Sequence, residues 1–227
     1  MKTVFHALFL CAWIALFAVS TGWATPIELS YDESAREYYV NMYKKETYEL
    51  TLTSEDVANG ITSFMVYDDG GKNGNYGDDC DGTLVMTAPE GYTFRIAGSY
   101  VGENYDTDVL SIYDGNINGN KLFSKYGSSF TVGPFVSNSG VLSVSYTSDG
   151  GVNDRGFDLK VLLVSKLDDD GSGYHAVVPV AGDGNAVIPE GATAVKVYDN
   201  GGADGNYSDN SDASFTLYGP CRSLIRG

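Results

Sequence analysis

The chain has 227 residues, 43% of them hydrophobic and 13% aromatic, with 17 tyrosines, 28 glycines and a formal net charge of −16. That length holds one or two domains, and a composition rich in Tyr, Val, Thr and Gly favours strands and turns over helices. The negative field repels phosphate backbones and so excludes nucleic acid as a partner. It suits cations or basic proteins, or only keeps an exported chain soluble.

The chain opens with Met1 and Lys2, followed by an apolar run over residues 4–19 and small residues up to Ala24. This order predicts a secretory signal over residues 1–24, cleaved after Ala24, with an uncleaved anchor as the alternative. The run is short for a spanning helix, which needs about 20 apolar residues, and no later stretch is longer. The protein is therefore expected to be secreted or displayed at the cell surface, with no membrane span after cleavage.

Strand signals follow at short intervals. In "TYELTLT" Tyr48, Leu50 and Leu52 share a face. In "YTFRIAG" the inward set is Tyr92, Phe94 and Ile96. In "VLSVSY" it is Leu142, Val144 and Tyr146, and in "FDLKVLLV" it is Phe157, Leu159, Val161 and Leu163. Shorter runs lie at 64–67, 83–87, 109–113 and 130–132, separated by "PEG", "DGNINGN", "NSG" and "DGG". Period-two alternation between turn signals predicts an all-β sandwich. The segment "DESAREYYVNMYKKE" could hold one helical turn.

An internal repeat is present. "GITSFMVYDDGGKNGNYGDDCDG" begins at Gly60 and "GATAVKVYDNGGADGNYSDNSDA" at Gly191, sharing V-Y-D-x-G-G-x-x-G-N-Y at 66–76 and 197–207. A first sandwich domain is expected over residues 30–165, a flexible acidic linker over 166–173, and an incomplete second copy over 174–227. The second copy has no counterparts of the later strands. Val195, Val197 and Phe215 are thus expected to lack an opposing sheet, and the tail to be disordered or loosely docked, as in a truncated gene product.

Catalytic patterns are missing. His175 is the one histidine beyond the signal and sits in a strand-like run, so a histidine-dependent nucleophile has no base. No H-E-x-x-H and no paired C-x-x-C suggests zinc. "GNINGNK" is not a phosphate loop, and nothing picks out a glycosidase carboxylate pair. What remains is acidic loops. Glu103, Asp106 and Asp108 precede one strand, and Asp149, Asn153 and Asp154 occupy a glycine-rich turn before another. If both loops meet at one end of the sandwich, carboxylates converge there. Two unit charges about 4 Å apart repel by about 4 kcal/mol at an effective dielectric near 20, which a hard cation relieves. Oxygen-only donors favour calcium; the alternative is turn formers facing water. "DDGGKNGNYGDD" (68–79) reads as a structural turn in preference to a second calcium loop.

Three blocks then resemble the CUB domain family: "NYGDDCDGTLVMTAPEGYTFRI", "YDTDVLSIYDG" and "LSVSYTSDGGVNDRGFDLKV". The matching residues are Cys80, the D-x-L-x-I-Y-D-G run from Asp108 to Gly115, Ser148 with Asp149, and Gly156 with Phe157. The repeated motif also resembles CUB-like modules of bacterial surface proteins. The resemblance implies a jelly-roll β-sandwich of two antiparallel sheets, followed here by the incomplete second copy. It also implies a non-catalytic extracellular module binding protein or polysaccharide, with calcium held by Glu103, Asp108, Asp149 and Asn153. The family's cysteine before the D-x-L strand is absent, so Cys80 is expected to be a free thiol or to bridge between molecules. The alternatives are a carbohydrate-binding module of a larger secreted enzyme and a structural spacer in a surface protein.

Overall fold

A computed structural model describes residues 24–103, 105–169 and 173–219. Residues 1–23, which hold all but the last residue of the expected signal, and Cys221 lie outside the described residues. The strands of the first unit are β1 (Thr25–Pro26), β2 (Ser30–Asp32), β3 (Glu37–Asn41), β4 (Lys45–Thr51), β5 (Ser63–Tyr67), β6 (Asp81–Thr87), β7 (Tyr92–Val101), β8 (Val109–Asp114), β9 (Asn120–Lys125), β10 (Ser129–Val136), β11 (Val141–Thr147) and β12 (Gly156–Lys166). They form two sheets, ordered β1-β4-β6-β11-β8-β9 and β10-β7-β12-β5-β3-β2. The expected all-β sandwich is the observed fold.

The alternating residues form its core. Phe64, Val66, Leu84, Met86, Phe94, Ile96, Leu110, Ile112, Leu142, Val144, Phe157, Leu159 and Val161 are all buried between the sheets. Each pleated strand sends every second side chain to this layer. Pairing departs from the expected antiparallel sheets at one side. β3 runs parallel to β5, and β4 parallel to β6. The reason is topological: β3, β4, β5 and β6 alternate between sheets, so each strand returns to its sheet in the direction in which the chain left it. The later pairs, β6–β11, β11–β8, β8–β9, β10–β7, β7–β12 and β12–β5, are antiparallel.

One element went unforeseen, and one suspected helix is a hairpin. The segment from Asp32 supplies the end of β2, a turn and β3, and the hairpin sets Tyr31 opposite Tyr38. A helical turn, α1 (Ser54–Ala58), sits after β4 instead. Its cap is reciprocal: the Asp56 amide donates to Thr53 Oγ1 and the Thr53 amide donates to Asp56 Oδ2, satisfying two donors a helix end leaves bare.

Beyond β12, the segment expected to be a linker contributes structure. Lys166 closes β12, Leu167 is buried, and Asp168–Asp169 form β13. Then come β14 (Tyr174–Val177), β15 (Ala181–Val187), β16 (Val195–Tyr198) and β17 (Asp212–Tyr218). Their registers copy the first unit. Tyr174↔Val195 to Val177↔Tyr198 reproduces the parallel β3–β5 ladder, and Ala181↔Asp212 to Val187↔Tyr218 reproduces β4–β6. The antiparallel β13–β14 pair stands where β2–β3 stands.

This corrects the expectation that the tail has no opposing sheet. Val195 and Phe215 pack with Leu217 around Leu167, Ala176 and Ala186, so two half-sheets face each other; Val197 remains 52% exposed. The unit also docks. β15 pairs in parallel with the end of β12 through Ser165↔Ala186 and Lys166↔Val187. Val187 and Tyr218 cover Val136, Leu162 and Val164 on the outer face of the sandwich.

Candidate metal centre

The site is built at one end of the sandwich, where the chain leaves β7, enters β8 and leaves β11. Glu103 follows β7 and Asp108 stands one residue before β8. Asp149 lies two residues past β11. One carboxylate oxygen from each of the three comes within 4.8 Å of the others. Asp108 is fully buried, Glu103 is 9% exposed and Asp149 faces solvent. The other acidic residues stay apart: Asp106 is exposed, and Asp154 accepts from the Arg155 amide.

Hydrogen bonds fix this arrangement. The Tyr76 hydroxyl donates to Asp108 Oδ2 at 2.6 Å, and the Asp149 amide donates to Asp108 Oδ1 at 3.1 Å. Thr107 Oγ1 donates to Glu103 Oε1 at 2.8 Å, and the Gly151 amide donates to Asp149 Oδ1 at 3.1 Å. Each carboxylate therefore has a donor that fixes the direction of one oxygen. Among the described residues no salt bridge reaches any of the three. The clustered negative charge is thus uncompensated by a protein cation, and the donors are all hard oxygens. That set fits calcium or a similar hard cation.

Asn153 sits beside the cluster but turns its amide outward. Its Nδ2 donates to Asp78 Oδ1 at 2.7 Å, and its carbonyl accepts from Asn75 Nδ2 at 3.2 Å. Between them stands Val152 with φ +58°, a left-handed conformation costly for a β-branched residue. Its carbonyl accepts from the Tyr76 hydroxyl at 3.3 Å. Strain of this kind persists where the surroundings over-determine it.

Tyr76 was not anticipated as a site residue. It ends the repeated glycine-rich motif, which holds it in place. The Tyr76 amide donates to the Asp154 carbonyl, and its ring meets Tyr146 edge-on at 5.3 Å. Burial, then the Asp108 carboxylate, push its phenol well above the ordinary range, so it remains a donor. Burial likewise raises Tyr100 and Tyr146, whose hydroxyls lie 3.3 Å apart behind it.

The glycine-rich loop itself is a self-stitched turn, as its composition suggested. The Gly70 amide donates to Asp68 Oδ1, and the Gly77 amide to Asp69. Cys80 is a free, buried thiol whose Sγ donates to the Gly77 carbonyl at 3.1 Å. Burial pushes that thiol up to about 11, so it is a poor nucleophile at neutral pH. His175 lies in β14 near Tyr198, away from the cluster.

No protein-family model matches the sequence, and no curated protein matches it significantly. Solved structures do match. The CUB1-EGF-CUB2 domains of rat MASP-1 align over 56% of this chain and 45% of theirs, with 17% identity and a TM-score of 0.40. The CUB1-EGF-CUB2 domain of human MASP-1/3 aligns over 60% and 47%, with 13% identity and a TM-score of 0.36. The full extracellular region of zebrafish Gpr126/Adgrg6 aligns over 52% and 15%, with 17% identity and a TM-score of 0.39. The chain spans less than half the length of each.

Proposed function

We propose that the chain is a non-catalytic extracellular binding module whose β7–β8 and β11–β12 loops are organised by calcium to contact a partner protein. The observation that carries this reading is the convergence of Glu103, Asp108 and Asp149 within 4.8 Å. Calcium at these carboxylates supplies charge compensation and ties the loop after β11 to the loop before β8. Asn153 joins the set through a turn of its side chain away from Asp78. The partner surface that suits a chain of net charge −16 is basic.

Thermal unfolding with chelator and with millimolar calcium tests the site. Extracellular modules bind calcium at about 10⁻⁴–10⁻³ M, and a hundredfold excess over Kd stabilises by about 2.7 kcal/mol. The expected result is a higher melting temperature with calcium, lost in the Asp108→Asn, Asp149→Asn double variant. An identical melting temperature in both buffers sinks the calcium site.

A further inference from the structure

We propose that the cleft between the outer face of β2, β3 and β5 and the loop that follows β5 binds an uncharged hexose unit of a glycan. The cleft measures about 310 Å³, at the small end of ligand sites. Its floor follows from strand alternation. Val40 and Val66 are buried in the core, so their neighbours Tyr39, Asn41 and Tyr67 point to the opposite face of the sheet. Glu37 lies on that face too, and Asp32 pairs with it across β2 and β3.

The loop after β5 forms the roof. The Gly71 amide donates to the Asp68 carbonyl at 3.1 Å, and Gly71 takes φ +67°. A Cβ there would come 3.2 Å from Nδ2 of Asn41, so glycine lets the backbone lie against the sheet. Lys72 then reaches across to donate to Asp32 Oδ2 at 3.0 Å. The other Asp32 oxygen accepts from Ser34 and from the Ala35 amide, so the carboxylate is fixed before a ligand arrives.

Tyr67 is the residue that points to a ligand. It is 4% exposed, and its ring meets that of Tyr39 at 6.3 Å. Its hydroxyl has no hydrogen-bond partner among the described residues, and the side chain lines the cleft. A buried hydroxyl left without a bond is costly, and a ligand hydroxyl in the cleft supplies that bond. Burial raises the phenol above its ordinary value, so it stays protonated and able to donate.

The charges select the class of ligand. Lys72 is paired with Asp32, and Lys160 Nζ lies 4.0 Å from Glu37 Oε1. With each lysine matched by a carboxylate, the cleft has little net pull on an anion or a cation. It offers adjacent acceptors and donors beside tyrosine rings. Neighbouring hydroxyls of a sugar can donate to a carboxylate and accept from the ammonium beside it, while the C–H face of the sugar ring rests on Tyr39. The second copy shows that folding does not require this polar set. It keeps the ring pair, His175 with Tyr198 at 6.2 Å, and its glycine-rich loop closes through Gly201 and Asp199. Where Asn41 and Lys72 stand in the first unit, it has Val177 and Ala203.

Methyl glycosides of glucose, galactose, mannose and N-acetylglucosamine are the probes, added to the full chain in chelator so that the outcome does not depend on the calcium site. Saturable binding of at least one is expected, with a Kd on the order of 1 mM and NMR shift changes at the Tyr39, Tyr67 and Gly71 amides. Tyr67→Phe should weaken it about fivefold or more. The melting temperature without sugar should stay unchanged in that variant, because the hydroxyl bonds no described protein group. Lys72→Ala should weaken binding to a similar degree. Saturable binding of none of these glycosides, shift changes only elsewhere in the chain, or equal binding by Tyr67→Phe overturns the proposal.

Discussion

The hydroxyl of Tyr76 stands 2.6 Å from Oδ2 of Asp108, with the two side chains 1% and 0% exposed. The two residues come from distant parts of the chain, one from the glycine-rich loop and one from the mouth of β8. A buried carboxylate without donors would be strongly destabilising. Here the phenol holds one oxygen and the Asp149 amide the other. The bond also carries orientation, because it fixes which lone pairs of Asp108 face Glu103 and Asp149.

Tyr76→Phe should therefore cost about 1–3 kcal/mol, the range for leaving a buried polar group short of a partner. The loss should be larger in chelator than in calcium, where a cation at the carboxylates compensates Asp108. Urea unfolding of both proteins in both buffers measures it. Equal losses in the two buffers would separate Tyr76 from the metal site.

The glycine-rich loop gives a sharper contrast. A Cβ on Gly70 would land on the backbone carbonyl of Asn75, and one on Gly151 would meet nothing within 4 Å. Gly70→Ala should destabilise by about 2 kcal/mol or more, since backbone cannot yield cheaply. Gly151→Ala should stay within about 0.5 kcal/mol. Denaturation midpoints at constant slope report both. A neutral Gly70→Ala would mean that the loop opens readily.

Much of this was legible in the sequence, and the gaps have physical causes. Alternation located the strands, because one face of each is buried in one core. It did not give the parallel pairs, since the switch of β3, β4, β5 and β6 between sheets leaves no periodic trace. Leu162 and Val164 fall out of phase in "FDLKVLLV", on the outer face, and their reason appears only once Val187 and Tyr218 cover them. At the site, the acidic loops pointed to one end of the sandwich, and the resemblance to CUB domains narrowed them to Glu103, Asp108, Asp149 and Asn153; carboxylate oxygens of the first three come within 4.8 Å of one another. Tyr76 was hidden because a tyrosine in a glycine-rich loop reads as turn composition. Its role depends on contacts with residues far along the chain.

Asp68 should make stability depend on pH. Burial raises its carboxyl from 3.8 to about 7, against the opposing pull of the Phe157 and Gly70 amides. The native state then holds a proton that the unfolded chain has released above about pH 4. The stability linked to that proton is full below the unfolded value and lost as pH rises through about 7. Relative to Asp68→Asn, the wild type should lose on the order of 2–3 kcal/mol between pH 5 and pH 8. Urea titrations in chelator across that range measure the difference. A flat difference would mean that Asp68 stays ionised, held by its two amide donors.

The docking of the second unit can be tested at Val187, which is 5% exposed and packs with Val136 and Val164. Only two residue pairs join β15 to β12 in the ladder, Ser165↔Ala186 and Lys166↔Val187. Side-chain burial must therefore carry most of the attachment, helped by the Arg95 guanidinium 4.6 Å from the Tyr218 ring centroid. Val187→Asp places a charge in this apolar contact, and taking a carboxylate out of water there typically costs several kcal/mol. The second unit should detach while the first sandwich, whose own core lies on the other side of β12, stays folded. Limited proteolysis between residues 167 and 174 should then accelerate about tenfold or more, as local opening becomes frequent. The remaining core should keep its calcium-dependent melting shift. Unchanged cleavage would place the attachment elsewhere, and loss of the calcium shift along with the tail would show that the two units unfold as one.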